Sequence, residues 1–177
     1  MNHVDLTGQT VGHYELRQLL GEGGMGVVYR AWDGSLEREV AFKVLMTGFD
    51  IREEYVRRFK REAKTAASLE HSHIVPIYAY GTHDIGNLKI SYVVMRLLTG
   101  GSLSDRLHRS YEQGEPFPSP AETAEIIRHV ATALDYAHSR GIIHRDIKPS
   151  NVIRTYAVGF TNKGFKPLVQ AQIAVQL

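Results

Sequence analysis

The sequence contains no cysteine, which excludes disulfides, thiolate nucleophiles and cysteine-ligated zinc. It also lacks any apolar run approaching the ~20 residues of a membrane span, and Met1–Asp5 lacks the basic-then-apolar pattern of a secretion signal. Neither sign of charge prevails. A formal net charge of +2 is too small to argue for nucleic acid or an anionic membrane surface. These absences lead us to expect a cytoplasmic compartment, no nucleic-acid partner and no membrane segment. One further absence is local: all 19 acidic residues lie at or before Asp146, so residues 147–177 have none, although Arg154, Lys163 and Lys166 follow. The chain is therefore expected to change character near Val152. The remainder is an ordinary globular composition, 177 residues with 43% hydrophobic and 23% charged, enough for one domain or two small lobes.

Residues 1–12 read as a flexible lead-in. From Tyr14 the chain alternates through Leu16 and Leu19-Leu20 as a strand, and meets Gly21-Glu22-Gly23-Gly24-Met25-Gly26. Val27 to Trp32 and Glu39 to Leu45 are β-branched and aromatic enough for two more strands, with Asp33-Gly34 as a turn. The pattern predicts three antiparallel strands with a glycine-rich first turn. That turn, Gly21-x-Gly23-x-x-Gly26, has several readings. A dinucleotide fold needs a helix to begin there, and the next six residues favour a strand. A phosphate-binding loop of the Walker type needs Lys-Ser or Lys-Thr after Gly26, where Val27-Val28 stands. The kinase form, G-x-G-x-x-G-x-V, has strands on both sides; its glycines bring backbone to phosphates and Val28 can cap a purine. A plain hairpin without a ligand is the remaining alternative.

The third strand bears on that choice. With a period of two, Ala41, Lys43 and Leu45 share one face and Val40, Phe42 and Val44 the other, so Lys43 sits on a face that should be covered. The next segment, Arg52 to Leu69, has helical periodicity, with Tyr55, Phe59, Ala66 and Leu69 forming a stripe. Glu62 occupies a stripe position. A carboxylate there is costly unless paired, and Lys43 is the natural partner, with Arg58 on the helix surface as the alternative. His71-Ser72-His73 is a poor metal site, because no further ligand comes after it at suitable spacing and Ile74-Val75-Pro76 reads as a buried strand.

Ile90 to Met95 reads as a buried strand, preceding Arg96-Leu97-Leu98 and the loop Thr99-Gly100-Gly101. Ser102 with Asp105 opens a short helix through Leu107. Ser119-Pro120-Ala121-Glu122 opens a longer one, whose stripe is Ile126, Val130, Ala133, Leu134 and Ala137, with Gly141 as its stop. Directly after it comes His144-Arg145-Asp146-Ile147-Lys148-Pro149-Ser150-Asn151, the pattern H-R-D-x-K-x-x-N of a phosphoryl-transfer loop.

Taken in order, the glycine loop, Val40-Ala41-Phe42-Lys43, helix Glu62, the hinge and the catalytic loop resemble the eukaryotic-like serine/threonine protein kinases. Leu20-Gly21-Glu22-Gly23-Gly24-Met25-Gly26 looks like the bacterial branch, and the likeness covers about residues 12–153. The resemblance implies an α+β, protein-kinase-like fold: a complete small N-lobe of antiparallel sheet plus one helix at about 13–96, and the first part of a helical C-lobe at about 97–153. It places Leu20, Gly21, Glu22, Gly23, Gly24, Met25, Gly26, Val27 and Val28 over ATP, Lys43 on its phosphates with Glu62 behind, and Ala41 beside adenine. Met95 becomes the gatekeeper, and the backbone of Arg96 to Leu98, including Leu97, meets the adenine edge. Arg96 stands where relatives often have an acid. Asp146 accepts or orients the substrate hydroxyl proton, Lys148 neutralises charge on the phosphoryl group and favours Ser/Thr substrates, and Asn151 holds one Mg2+.

After Val152-Ile153 the family leads to expect a strand pair, Asp-Phe-Gly, an activation segment, Ala-Pro-Glu and several helices, something like 100 residues more. Residues 154–177 read instead as a divergent tail. Gly164-Phe165-Lys166 lies near the Asp-Phe-Gly position but lacks the carboxylate. The expectation is a kinase domain truncated after the catalytic loop, with weak or absent activity and exposed apolar surface on the 119–140 helix. A nucleotide-binding pseudokinase or regulatory fragment is the alternative, and the protein substrate is not legible.

Overall fold

The computed structural model describes residues 5–23, 26–45, 53–86, 88–161 and 164–173, with the backbone alone at 23, 53–56, 58, 156–161 and 164–170. The described residues form two compact units, one of 5–68 and 76–97, the other of 69–75 and 98–173.

The first unit is an antiparallel sheet with one helix. Its strands are β1 (Thr10–Val11), β2 (Tyr14–Gly23), β3 (Gly26–Asp33), β4 (Arg38–Leu45), β5 (Ile77–Ile85) and β6 (Leu88–Arg96), in the spatial order β1-β2-β3-β4-β6-β5. Alternation decides the two faces. Val27 pairs with Val44, Tyr29 with Phe42 and Phe42 with Val94; these five side chains, with Val40, Leu16 and Ile90, are buried in one apolar cluster. The rings of Phe42 and Tyr92 stack within it at 4.7 Å. The opposite face carries Ala41, Lys43 and Leu45, as the period-two reading requires. There the helix α1 (Glu53–Ala67) packs Phe59 and Ala63 on Val93, with Leu45, Ile77 and Met95 at the edges.

Several expectations shift. The lead-in is built into the sheet from Leu6 on: Leu6 and Val11 are buried in the core cluster, and the Leu6 N–H donates to the Tyr29 hydroxyl at 3.1 Å. The expected helix start at Arg52 lies outside the described residues, as does the Tyr55 side chain. Leu69 is not helical; it belongs to the second unit's core. The strand expected at Ile74-Val75-Pro76 begins later, as β5 at Ile77, and Ile74 forms only a bridge to Ile173.

In the second unit, α2 (Leu103–Glu112) opens on a reciprocal cap: Asp105 N–H donates to Ser102 Oγ at 3.0 Å and Ser102 N–H to Asp105 Oδ2 at 2.8 Å. The longer helix α3 (Pro120–His138) is capped by Ser119, whose Oγ accepts from Glu122 N–H at 3.1 Å. It buries Ile126, Ala133 and Ala137 and stops where Gly141 and Ile142 N–H groups bond back to His138 and Ala137 at 2.9 and 3.0 Å. Ile127 on its other side is 62% exposed.

The tail is corrected most. A 3-10 turn at Pro149–Asn151 leads into β7 (Val152–Thr161), which pairs along its whole length with β8 (Gly164–Ile173). Ala171 and Ile173 are core residues packed with α3 and Ile74. Arg154 is buried against Gly100, where any Cβ would collide with the Arg154 carbonyl, and its guanidinium faces Glu122 at 3.7 Å. The strand pair expected after Val152-Ile153 is therefore present. Gly164-Phe165-Lys166 opens β8, and residues 162–163 and 174–177 lie outside the described set. No helix among the described residues is long and apolar enough to cross a membrane.

Candidate active site

The nucleotide-facing candidates lie on the first unit's glycine hairpin and on the α1 side of its sheet. Strands β2 and β3 pair to their ends, Gly23 opposite Gly26, Glu22 opposite Val27 and Gly21 opposite Val28. A strand thus comes after the glycine turn, which removes the dinucleotide reading. Gly26 has φ of 134°, and a Cβ there would strike the Val44 carbonyl oxygen, so only glycine lets β3 approach β4 this closely. Gly24 and Met25 lie outside the described residues.

Register sorts the remaining candidates by face. Val28 is opposite Lys43, and Lys43 opposite Val93; Ala41 is opposite Met95. Val28, Ala41, Lys43 and Met95 therefore share one surface, which is what adenine and phosphate contacts from these residues require. Val27 does not join them. Its side chain is fully buried in the opposite core, because an adjacent strand residue points the other way, so Val27 can face a nucleotide only with its backbone. Leu20 lies at a register shift between Leu19 and Gly21 and is 47% exposed; Glu22 is also exposed. Leu97 is half-buried after β6. The Arg96 N–H is engaged by the Pro76 carbonyl at 3.0 Å.

Glu62 lies on α1 between Phe59 and Ala63, the two side chains that cover the sheet face carrying Lys43. Both Lys43 and Glu62 are half-buried. Their common side is what a lysine–glutamate pair needs.

In the second unit the catalytic-loop candidates converge. Lys148 Nζ is 2.8 Å from Asp146 Oδ2. The Asn151 side-chain amide donates to the Asp146 carbonyl at 2.8 Å and to Asp146 Oδ2 at 3.0 Å. The Lys148 ammonium, then the Asn151 amide, hold the Asp146 carboxyl below its ordinary value, against partial desolvation. Pro149 opens the 3-10 turn that brings Asn151 back, and Asn151 N–H bonds to the Lys148 carbonyl at 2.9 Å.

Two positioning features went unread in the sequence. Buried His144 accepts the Asp146 N–H at Nδ1, 3.3 Å away; the His-x-Asp spacing was the available signal, a side chain bonding two residues ahead. Arg145 has φ of 64°, a left-handed conformation that costs a non-glycine residue about 1–3 kcal/mol and that no residue pattern announced.

The Asn151 amide hydrogens are engaged, which leaves its Oδ1 for a cation. Beside it, the described residues supply only the Asp146 carboxylate, itself paired with Lys148, and residues 147–177 supply no acid. A hard dication prefers several oxygen ligands, and among the described residues of this loop Asn151 Oδ1 and the Asp146 carboxylate are the oxygens that could contribute.

The chain is similar to known proteins in sequence and in fold. The protein kinase domain family matches residues 14–159. A probable serine/threonine-protein kinase of Streptomyces coelicolor is 42% identical over 144 residues, 81% of this chain and 21% of the relative. The serine/threonine-protein kinase PknE of Mycobacterium tuberculosis is 43% identical over 146 residues, 82% of this chain and 24% of PknE. The crystal structure of the Mycobacterium tuberculosis PknI kinase domain superposes with a TM-score of 0.72 at 30% identity, covering 96% of this chain and 61% of that one. The chain thus spans about a quarter or less of these curated relatives and under two thirds of the solved domain. A glycine hairpin, a lysine strand with its helix and an aspartate–lysine–asparagine loop, matched across most of the chain, mean that this protein belongs to the protein kinase domain family.

Proposed function

We propose that this chain is the nucleotide-binding and catalytic-loop portion of an ATP-dependent serine/threonine protein kinase, with weak or absent phosphoryl transfer from these residues alone. The observation that carries the reading is the convergence of Lys148 and Asn151 on the Asp146 carboxylate, 2.8 and 3.0 Å away. In the transfer, a substrate serine or threonine oxygen attacks the γ-phosphorus and the bond to the β-phosphate oxygen breaks. ADP leaves, and the hydroxyl proton passes to Asp146. A carboxylate held ionised is ready to orient that hydroxyl and accept its proton late. Lys148 can turn from Asp146 to the transferring phosphoryl oxygens, where a cation offsets developing charge. The shared face of Val28, Ala41, Lys43 and Met95 suits adenine and phosphates, with the Gly26 backbone close to the ligand.

A magnesium ion, where bound in this family, offsets phosphate charge. The donor set of Asn151 Oδ1 and the Asp146 carboxylate is short of a full site, so no step is assigned to the ion here. The same shortage favours a second reading, a nucleotide-binding pseudokinase or regulatory fragment.

The test combines two measurements on the 177-residue chain. Thermal-shift titration with ATP, with and without magnesium, is expected to raise the melting temperature in both cases. Radiolabelled ATP with serine- and threonine-containing peptides is expected to give far less transfer than a complete kinase domain run alongside. Transfer at the complete domain's rate, lost in Asp146→Asn, would overturn the weak-transfer reading. Absence of any shift with ATP would overturn nucleotide binding.

A further inference from the structure

The second unit contains a pair of buried titratable groups for which phosphoryl transfer has no use. His73 and His129 are 9% and 5% exposed, and their rings stack with centroids 3.9 Å apart at 24°. They join three segments that are distant in sequence. His73 grips β8 twice: its Nδ1 bonds to the Ala171 carbonyl at 3.1 Å, and its own carbonyl accepts the Ile173 N–H at 2.9 Å. His129, on α3, accepts the Ala171 N–H at Nδ1, 3.3 Å away. Val75 N–H then bonds to the Ile173 carbonyl at 3.0 Å, and Ile173 pairs with Val152, the residue after Asn151.

We propose that the stacked His73–His129 pair is a proton-sensitive latch, which holds β8 on α3 and on the 69–75 segment at neutral pH and loosens it in acid.

The chemistry rests on how many acceptors an imidazole has. A neutral ring accepts at one nitrogen only, and an imidazolium at none. His129 is offered donors at both, Ala171 N–H at Nδ1 and Arg128 Nη2 at Nε2, the latter 2.8 Å away. Protonation removes whichever bond the neutral ring was accepting. His73 can keep its bond to the Ala171 carbonyl when charged, but two imidazolium rings stacked at 3.9 Å repel. The surrounding charges are mixed. From α3, Arg128 opposes protonation, while Glu125, 57% exposed and 3.6 Å from His129 Nε2, favours it. From the 69–75 segment, His71 stands edge-on to His73 at 5.5 Å and lies against Tyr136 of α3 at 5.1 Å. From β8 come the Ala171 amide and carbonyl, and Gln172, whose side chain bonds to the Ser72 carbonyl at 2.7 Å. Burial outweighs Glu125 and pushes both imidazoles below the usual value, with Arg128 adding to it. A ring kept neutral in the folded state, while the unfolded chain already takes a proton, costs stability as pH falls below about 6.5 and nothing above it.

The inference requires no catalytic activity, so its test stands apart from that of the kinase reading. Melting temperatures of the wild-type chain and of the His73→Asn/His129→Gln double variant, whose amides can replace the neutral rings, are compared at pH 7.5 and 5.5. The wild type is expected to lose about 3–6 °C more than the variant over that interval. Equal losses would overturn the latch. Where the variant does not fold, histidine-labelled NMR of the wild type decides. A His129 titration below the ordinary imidazole value, moving together with the Ala171 amide resonance, supports the latch. A titration at or above that value, or one that leaves Ala171 unmoved, overturns it.

Discussion

The two units hold their candidate site residues by different means. In the first, Val27, Tyr29, Val40, Phe42 and Val94 are fully buried, and the row of Val28, Ala41, Lys43 and Met95 has its direction imposed by the side chains packed on the other face. In the second, the catalytic loop has Ile143 and Ile147 at 65% and 43% exposure, and polar contacts orient its functional groups: Lys148 and Asn151 on Asp146, and His144 on the Asp146 backbone. Packing thus positions the proposed nucleotide face and a short hydrogen-bonded circuit positions the proposed catalytic loop. The first arrangement is vulnerable to cavities, the second to lost charges.

Phe42→Ala should have the largest effect. Removing a fully buried ring stacked on Tyr92 is expected to cost about 3–5 kcal/mol, read by chemical denaturation. A loss under about 1 kcal/mol would break the claim that packing holds the nucleotide face.

Ile173→Ala comes next. Ile173 is 1% exposed and Ile143 65%, so alanine is expected to cost about 2–5 kcal/mol at the first and within about 0.5 kcal/mol at the second. Equal small effects would return residues 154–177 to the status of a dispensable tail.

The smallest effect on stability, and the sharpest on charge, belongs to Lys148→Ala. Lys148 is the main cause of the lowered Asp146 carboxyl, so its removal should let that carboxyl titrate closer to an ordinary aspartate. With Lys148 present, Asp146 stays ionised until the pH falls below the ordinary range; without it, protonation begins at higher pH. Carboxyl NMR titration reads the difference, and an unchanged titration would remove Lys148 from the circuit.

Much of the fold and of the catalytic loop was legible in the residue pattern. The alternation of Val40 to Leu45 sorted the sheet faces correctly, and the caps at Ser102 and Ser119 located both helix starts, because caps and alternation are local physics. The H-R-D-x-K-x-x-N spacing brought Asp146, Lys148 and Asn151 together for the same reason. The lead-in and the tail were misread because Leu6, Val11, Ala171 and Ile173 are unremarkable locally. Their burial depends on partners far along the chain: Tyr29 for Leu6, Ile74 and Val152 for Ile173.

The sequence by itself determined the family, the capped helix starts and the spacing that brings Asp146, Lys148 and Asn151 together, since each rests on neighbours within a few positions. Tertiary structure alone decided that the acid-free stretch after Asn151 is a paired, packed hairpin, and that two histidines 56 positions apart in the numbering, His73 and His129, stack face to face. Contacts between distant segments depend on how the chain closes on itself, and no local pattern of residue types encodes that closure.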